Sequence, residues 1–222
     1  MERGRLSRSE EDHLKAIHAL LPHGAKAGTK DIAERLEIKA SSVTVMLKRL
    51  AAKGLLKHEP YHGVKLTAKG HAAALKLVRR HRLWETFLVD RLGFGWDEVH
   101  DIAEQLEHVG SDKLTDRLDD FLGNPGFDPH GDPIPDRHGR LVERRTMPLA
   151  ACPPGTRVRI ATVSGSTDDL LRLLDARGLH IGTHLTVQEV HGFDASVDVK
   201  PRTGAAFSLS RDVADHLLVE PV

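Results

Sequence analysis

Residues 100–112, HDIAEQLEHVGSD, place four groups able to bind cations, His100, Glu104, Glu107 and His108, within nine positions. Imidazoles and carboxylates serve as metal ligands, acid–base groups or ion-pair partners, and spacing must choose among these uses. Wound as a helix at about 100° per residue, the four fall on one side, and Ile102, Leu106 and Val109 fall on the other. A polar face made of ligand types, instead of mixed lysine, arginine and glutamate, points to cation binding. Spacing alone leaves open an exposed acidic helix whose histidines only make ion pairs. Upstream, His81 and Glu85 repeat the pattern at i, i+4, and Asp12 stands in the acidic run SEEDH. No thiolate accompanies them. Carboxylate and imidazole donors without sulfur suit Mn²⁺ and Fe²⁺ better than a structural zinc site.

Hydrolytic enzymes use the same ligands, but the chain has no HExxH pattern, no nucleophile elbow and no P-loop. GFG at 93–95 lacks the third glycine and the preceding strand of a dinucleotide fingerprint. No general base is evident beside the ligands, so a metal-dependent hydrolase is the weaker reading and no enzyme is expected. The single cysteine, Cys152 in ACPPG, has no positioned partner and reads as structural. One cysteine excludes a disulfide framework and suggests a reducing, cytoplasmic setting. No apolar run reaches the roughly 18 residues of a membrane span, and the first residues lack the apolar centre of a signal peptide. Neither a membrane nor a small-molecule substrate is expected.

The net charge of zero conceals an asymmetry. Residues 1–80 carry 17 Lys+Arg against 8 Asp+Glu, and the remainder carries 15 against 24. A basic segment joined to an acidic one suggests a nucleic-acid-binding module fused to another function.

The elements that would position these residues follow from periodicity. SEEDHLKAIHALL (9–21) opens with a serine and acids, repeats Leu14, Ile17 and Leu21 at helical spacing, and stops at Pro22 and Gly24. TKDIAERLE (29–37) is a short second helix, and SVTVMLKRLAAKG (42–54) a third with Val43, Met46, Leu47 and Leu50 inward. Residues 55–70 offer two strands around His62-Gly63. Helix, helix, turn, helix and hairpin is the order of a winged helix-turn-helix. Its reading face would be Ala40, Ser41, Ser42, Thr44 and Val45, flanked by Lys39 and Lys48, with Lys57, His62 and Lys65 of the wing on phosphates. Operator-like double-stranded DNA is the partner this implies.

A long helix runs from His71 to about Arg91, the HDIAEQLEHVGSD helix from Asp97 to about Val109, and another spans 111–123. FDPHGDPIPDRHGR (127–140) is an aperiodic loop. Beyond a linker at 141–155 the period becomes two: strands are predicted at 158–163, 184–190, 196–200 and 206–210, with a helix at 168–178. The chain is thus mainly α with a small β domain. Its expected division is 1–73 for DNA binding, 74–140 for a helical domain, 141–155 for the linker and 156–222 for a compact barrel.

SSVTVMLKRLAAKGLL, VRRHRLWETFL, HDIAEQLEHVGSD and DPHGDPIP together resemble the diphtheria toxin repressor family, closely over residues 6–140 and more loosely over the C-terminal domain, which matches an SH3-like (FeoA-like) barrel. The resemblance implies a metal-dependent transcriptional repressor of metal-uptake genes, dimerising through its helical domain and reading an inverted repeat. It implies a primary site of Asp12, Glu104, Glu107 and His108 and an ancillary site of His81, Glu85 and His100. Carboxylates at Asp12 and Glu104, where iron-responsive members place methionine and cysteine, favour Mn²⁺; an Fe²⁺-responsive regulator is the alternative, and a metal-independent winged-helix regulator a weaker one. Two positions depart from the family patterns. Lys15 stands where binuclear manganese-type members carry a second carboxylate. Ala161 and Ser164 stand where the SH3-like domain of iron-type members lends Glu and Gln.

Overall fold

The computed structural model describes residues 6–21, 27–59 and 63–222. The Pro22–Gly24 stop and His62 lie outside the described residues. The chain divides into two compact units, and the division cuts through the helices of the middle of the chain.

The first unit contains the residues up to His81, with Glu104–Asp116 and Pro135–Arg140. Helix α1 (Arg8–Leu20) starts at Ser7, two residues before the serine expected to begin it, because Glu10 closes a capping box with Ser7. Helices α2 (Thr29–Arg35) and α3 (Ala40–Ala52) follow. Between them Glu37 turns the chain at φ 54°. Strands β1 (Leu56–Glu59) and β2 (Gly63–Leu66) pair antiparallel with Leu56 opposite Leu66. Leu14, Ile17, Ile32, Val43, Leu47 and Leu50 form the core, the stripe periodicity selects; Leu21, Leu36 and Met46 pack at its margin. This is a winged helix-turn-helix.

Helix α4 (Ala68–Leu92) is 25 residues long. Helix α5 (Val99–Leu106) is shorter than the expected 97–109. The amide of Val109 bonds the carbonyl of Leu106 at 3.0 Å, a tight turn ahead of Gly110. Glu107 and His108 therefore sit in that turn, so the helical wheel drawn for all four ligands holds only for His100 and Glu104. Helix α6 (Asp112–Leu122) ends at Gly123 and Asn124, both left-handed.

The second unit contains Arg82–Ala103, Arg117–Ile134 and Leu141–Val222. Its sheet is β3 (Met147–Pro148), β4 (Arg157–Val163), β5 (His184–Val190), β6 (Val197–Pro201), β7 (Phe207–Leu209) and β8 (Leu217–Pro221), in the order β3-β8-β4-β5-β6-β7. All neighbours are antiparallel. Helices α7 (Asp168–Ala176) and α8 (Arg211–His216) complete it. The sheet begins inside the stretch expected to be linker: β3 pairs with β8, and Leu149 and Cys152 are buried in the sheet's own core. Burial pushes the Cys152 thiol pKa up, in keeping with a structural role.

Loop 126–134 is fastened to this sheet through main chain. The amide of Val163 donates to the carbonyl of His130 at 3.0 Å, and Thr162 Oγ1 donates to the carbonyl of Gly131 at 3.0 Å. The Arg144 guanidinium lies 3.6 Å from the Phe127 ring centroid and donates to the Ala161 carbonyl at 2.9 Å. Gly131 has φ 86°, and a Cβ there would stand 2.0 Å from the Ala161 carbonyl oxygen. Gly131→Ala is therefore expected to lower stability by about 2 kcal/mol or more, from strain and overlap together, measured as a fall in the thermal unfolding midpoint.

Candidate metal centres and DNA-reading surface

Helix α1 and the turn after α5 both belong to the first unit and bring carboxylates and imidazole together. Asp12, Glu107 and His108 each offer a donor atom, all within 4.8 Å of one another. His108 Nε2 lies 3.1 Å from Asp12 Oδ1 and 3.8 Å from Glu107 Oε1. Glu104 stands at the edge, its side chain half exposed and its Oε1 turned to Lys15 Nζ at 3.5 Å. Two or three carboxylates and one imidazole, mixed oxygen and nitrogen without sulfur, fit a hard or borderline divalent ion.

Lys15 occupies the ground beside them. Its ammonium donates to Glu107 Oε2 at 2.7 Å. The same oxygen lies 2.6 Å from His81 Nδ1, and the Lys15 ammonium stands 3.1 Å from that nitrogen as well. Burial pushes the Glu107 carboxyl up, but the His81 hydrogen bond and the Lys15 ammonium outweigh it and hold the pKa below its ordinary 4.5. Asp12 moves the other way. Burial raises it, and Glu107 and Glu104 add to that against the pull of His108 and Arg8.

The acid run of α1 is divided among three partners. Glu10, fully buried, takes Arg49 at 2.8 Å and Lys53 at 2.6 Å, tying α1 to α3. Glu11 takes Arg80 and His108. Asp12 faces Glu107 and His108.

A second group lies in the second unit. Glu85 of α4, with His100 Nδ1 at 3.3 Å from its Oε1, also approaches His130 Nδ1 at 3.8 Å through Oε2. Glu85, Asp128 and His130 are all buried and converge with donor atoms within 4.8 Å. His130 donates from Nε2 to the carbonyl of Trp96 at 2.7 Å and stacks on the Trp96 ring. Asp128 Oδ1 accepts the amides of His130 and Asp132, each at 2.9 Å, and Oδ2 lies 3.3 Å from Arg82 Nε. Burial and the Glu85 and Asp132 carboxylates push Asp128 up to about 7. Burial pulls His130 down, but Glu85 and Asp128 carry it up to about 9. His81, the remaining ancillary candidate, belongs to the first unit, where its Nδ1 is committed to Glu107.

Asp128 and His130 were missed by sequence reasoning, although they lie in the quoted DPHGDPIP. The signal available was residue type: an aspartate and a histidine two apart between glycines and prolines, in a loop too irregular for periodicity to place. The SH3-like domain adds no side-chain ligand at the two positions compared. Ala161 is buried and lends only its carbonyl to Arg144, and the Ser164 hydroxyl donates to His216 O at 3.3 Å.

On α3, Ala40, Ser41, Ser42, Thr44, Val45 and Lys48 are exposed, as is Lys39 before it. Val45 is 69% exposed on a helix whose other face is core, and Thr44 Oγ1 is used within the helix, donating to Ala40 O at 3.0 Å. Lys57 is exposed and Lys65 half-buried on the paired strands.

Sequence comparison agrees with this layout. The N-terminal DNA-binding domain of the iron dependent repressors matches residues 5–64, and their metal binding and dimerisation domain matches residues 67–136. A FeoA domain matches residues 147–221. The iron-dependent repressor IdeR of Mycobacterium tuberculosis is 32% identical, over 96% of each chain. The chain belongs to the diphtheria toxin repressor family. The diphtheria toxin repressor of Corynebacterium efficiens is 29% identical over 96% of this chain and 95% of that one. A solved manganese-dependent transcriptional repressor in complex with manganese is 38% identical, with a TM-score of 0.86, covering 96% of this chain and all of that one. ScaR with bound Zn²⁺ is 33% identical with a TM-score of 0.78, over 96% and 99%. The family's members are metal-dependent transcriptional repressors, and its DNA-binding and dimerisation domains are both present here. Among the described residues no helix is long and apolar enough to cross a membrane.

In this family member His81 and the Lys15 ammonium together keep Glu107 ionised. A depressed carboxyl pKa contributes stability above the ordinary 4.5 and loses it as pH falls below that value. Metal-free Lys15→Met should be less stable than the parent at pH 7 by about 1–3 kcal/mol, and the difference should narrow as pH falls below 4.5 in thermal unfolding.

Proposed function

We propose that the chain is a Mn²⁺-responsive repressor that binds an inverted-repeat operator as a dimer, holding its primary ion between Asp12, Glu104, Glu107 and His108. The observation that carries this reading is a thiolate-free donor set with the Lys15 ammonium already beside it, which favours one hard cation at that site over two. A divalent cation there neutralises the carboxylates and ties α1 to the turn after α5. Asp12 belongs to the helix that Glu10 pins to α3, so the tie fixes the reading helix within its unit. Without a cation, Asp12, Glu104 and Glu107 repel one another and the pose of α1 loosens. Metal and DNA then strengthen each other's binding by the same factor.

The second site is read as Glu85 and His100 joined by Asp128 and His130. An Fe²⁺-responsive reading is favoured by the 32% identity to iron-dependent repressors over the full length, and Fe²⁺ accepts the same oxygen and nitrogen donors. For the dimer surface we propose the apolar side of α5 and its following turn, Ile102, Leu106 and Val109, of which Val109 is 46% exposed.

Fluorescence anisotropy with inverted-repeat duplexes selected from a random pool tests the reading. Mn²⁺ should raise affinity by about 10–100-fold over chelator, the range of an ordinary coupling energy, and Glu107→Ala or His108→Ala should hold the protein at the chelated level. Equal affinity with and without chelator would leave a metal-independent regulator, and a larger response to Fe²⁺ would reassign the metal. Lys48→Ala should weaken binding to all sequences alike and reduce the salt slope by about 1. Calorimetry should show the second equivalent of Mn²⁺ binding more tightly as pH rises from 7 to 9. His130 and Asp128 hold protons up to about 9 and about 7, and a metal must displace them.

A further inference from the structure

We infer that Glu11 is the positioning residue of the primary site: it fixes the His108 ring with the proton on Nδ1 and Nε2 turned to the cation, and Arg80 holds Glu11 in that pose. The inference rests on the proposal that Asp12, Glu107 and His108 hold a divalent ion.

His108 is the one imidazole of that site, and a ring can present either nitrogen. Its Nδ1 donates to Glu11 Oε2 at 2.7 Å, while Nε2 points to Asp12 Oδ1 at 3.1 Å and Glu107 Oε1 at 3.8 Å. Glu11 therefore offers the ring proton an acceptor on the side away from Asp12 and Glu107, so that a cation can take Nε2 while Nδ1 keeps the proton. A carboxylate on the far nitrogen also makes the ring a better donor.

Glu11 is not itself a ligand of this cluster, because both of its oxygens are engaged. Oε1 accepts from Arg80 Nη2 at 2.8 Å while Oε2 serves His108. The three side chains are largely enclosed, with 10%, 15% and 13% exposure for Arg80, Glu11 and His108, so solvent screens the chain of contacts poorly. Arg80 comes from α4, Glu11 from α1 and His108 from the turn after α5. Adjacent positions on α1 thus deliver a ligand, Asp12, and the group that aims another ligand. Arg80 sets the register in which both arrive.

The test uses the full-length chain and its Glu11→Ala and Glu11→Gln variants, with ¹⁵N-labelled histidine. In metal-free protein at alkaline pH the His108 ring shifts of the parent should report Nδ1–H, and Glu11→Ala should show a mixture of tautomers. Glu11→Gln keeps an acceptor oxygen and should restore Nδ1–H. Free Mn²⁺ measured by electron paramagnetic resonance should give a 10–100-fold loss of affinity in Glu11→Ala, with Glu11→Gln in between. An unchanged tautomer together with parental Mn²⁺ affinity in both variants would overturn the inference. Should Glu11→Ala fail to fold, Glu11→Leu, which also lacks an acceptor, takes its place, and parental tautomer and Mn²⁺ affinity in it would overturn the inference. Asp12→Ala and His108→Ala are the controls: if these also bind Mn²⁺ like the parent, it is the site that is wrong, and Glu11 falls with it.

Discussion

Carboxylates gathered from separate elements into a small volume repel one another, and the first unit is organised around that cost. Asp12 arrives on α1, Glu104 on α5 and Glu107 in the turn after it. Folding alone compensates only part of the charge. The Lys15 ammonium at 2.7 Å and the His81 ring at 2.6 Å keep Glu107 ionised, while Asp12 is left with its pKa raised by burial and by its acidic neighbours. A cluster neutralised on one side and left charged on the other is the setting that suits one more positive charge. The proposed sensor uses this: a cation between these groups would order what their repulsion loosens.

Three consecutive acids, Glu10, Glu11 and Asp12, convert this local electrostatics into a device. A helix turns about 100° per residue, so neighbours on α1 face different directions. Glu10 reaches α3, Glu11 reaches Arg80 and His108, and Asp12 reaches the ligands. The stretch that touches the proposed ion is therefore bonded on either side to the reading helix and to the long helix α4. The second unit uses other means. There the loop carrying Asp128 and His130 is held by backbone bonds to β4, and Gly131 permits the close approach.

Much of this was legible in the sequence because periodicity reports burial. The stripes of α1 and α3, the length of α4 and the strands β4 to β7 follow from spacing alone. Helix α8 and strand β8, six and five residues long, were missed because one or two turns of a pattern cannot be told from chance. The shortening of α5 was missed because Glu107 and His108 continue the helical spacing, although the backbone has left the helix at Leu106. Residue type marked Asp12, Glu107 and His108 as candidate donors, and the fold brings their donor atoms within 4.8 Å of one another. Which acid of the α1 run would face which partner was not readable, since that depends on residues 39 to 97 positions away in the chain. Asp128 and His130 were hidden for a related reason: a loop has no period, and their convergence on Glu85 exists only after folding.

The most direct test of the central claim is anomalous diffraction from crystals of the full-length chain soaked in Mn²⁺. The account predicts a peak coordinated by Asp12, Glu107 and His108, with Glu104 drawn in and with Lys15 still beside Glu107. A protein that bound Mn²⁺ with no anomalous peak among those side chains would contradict it.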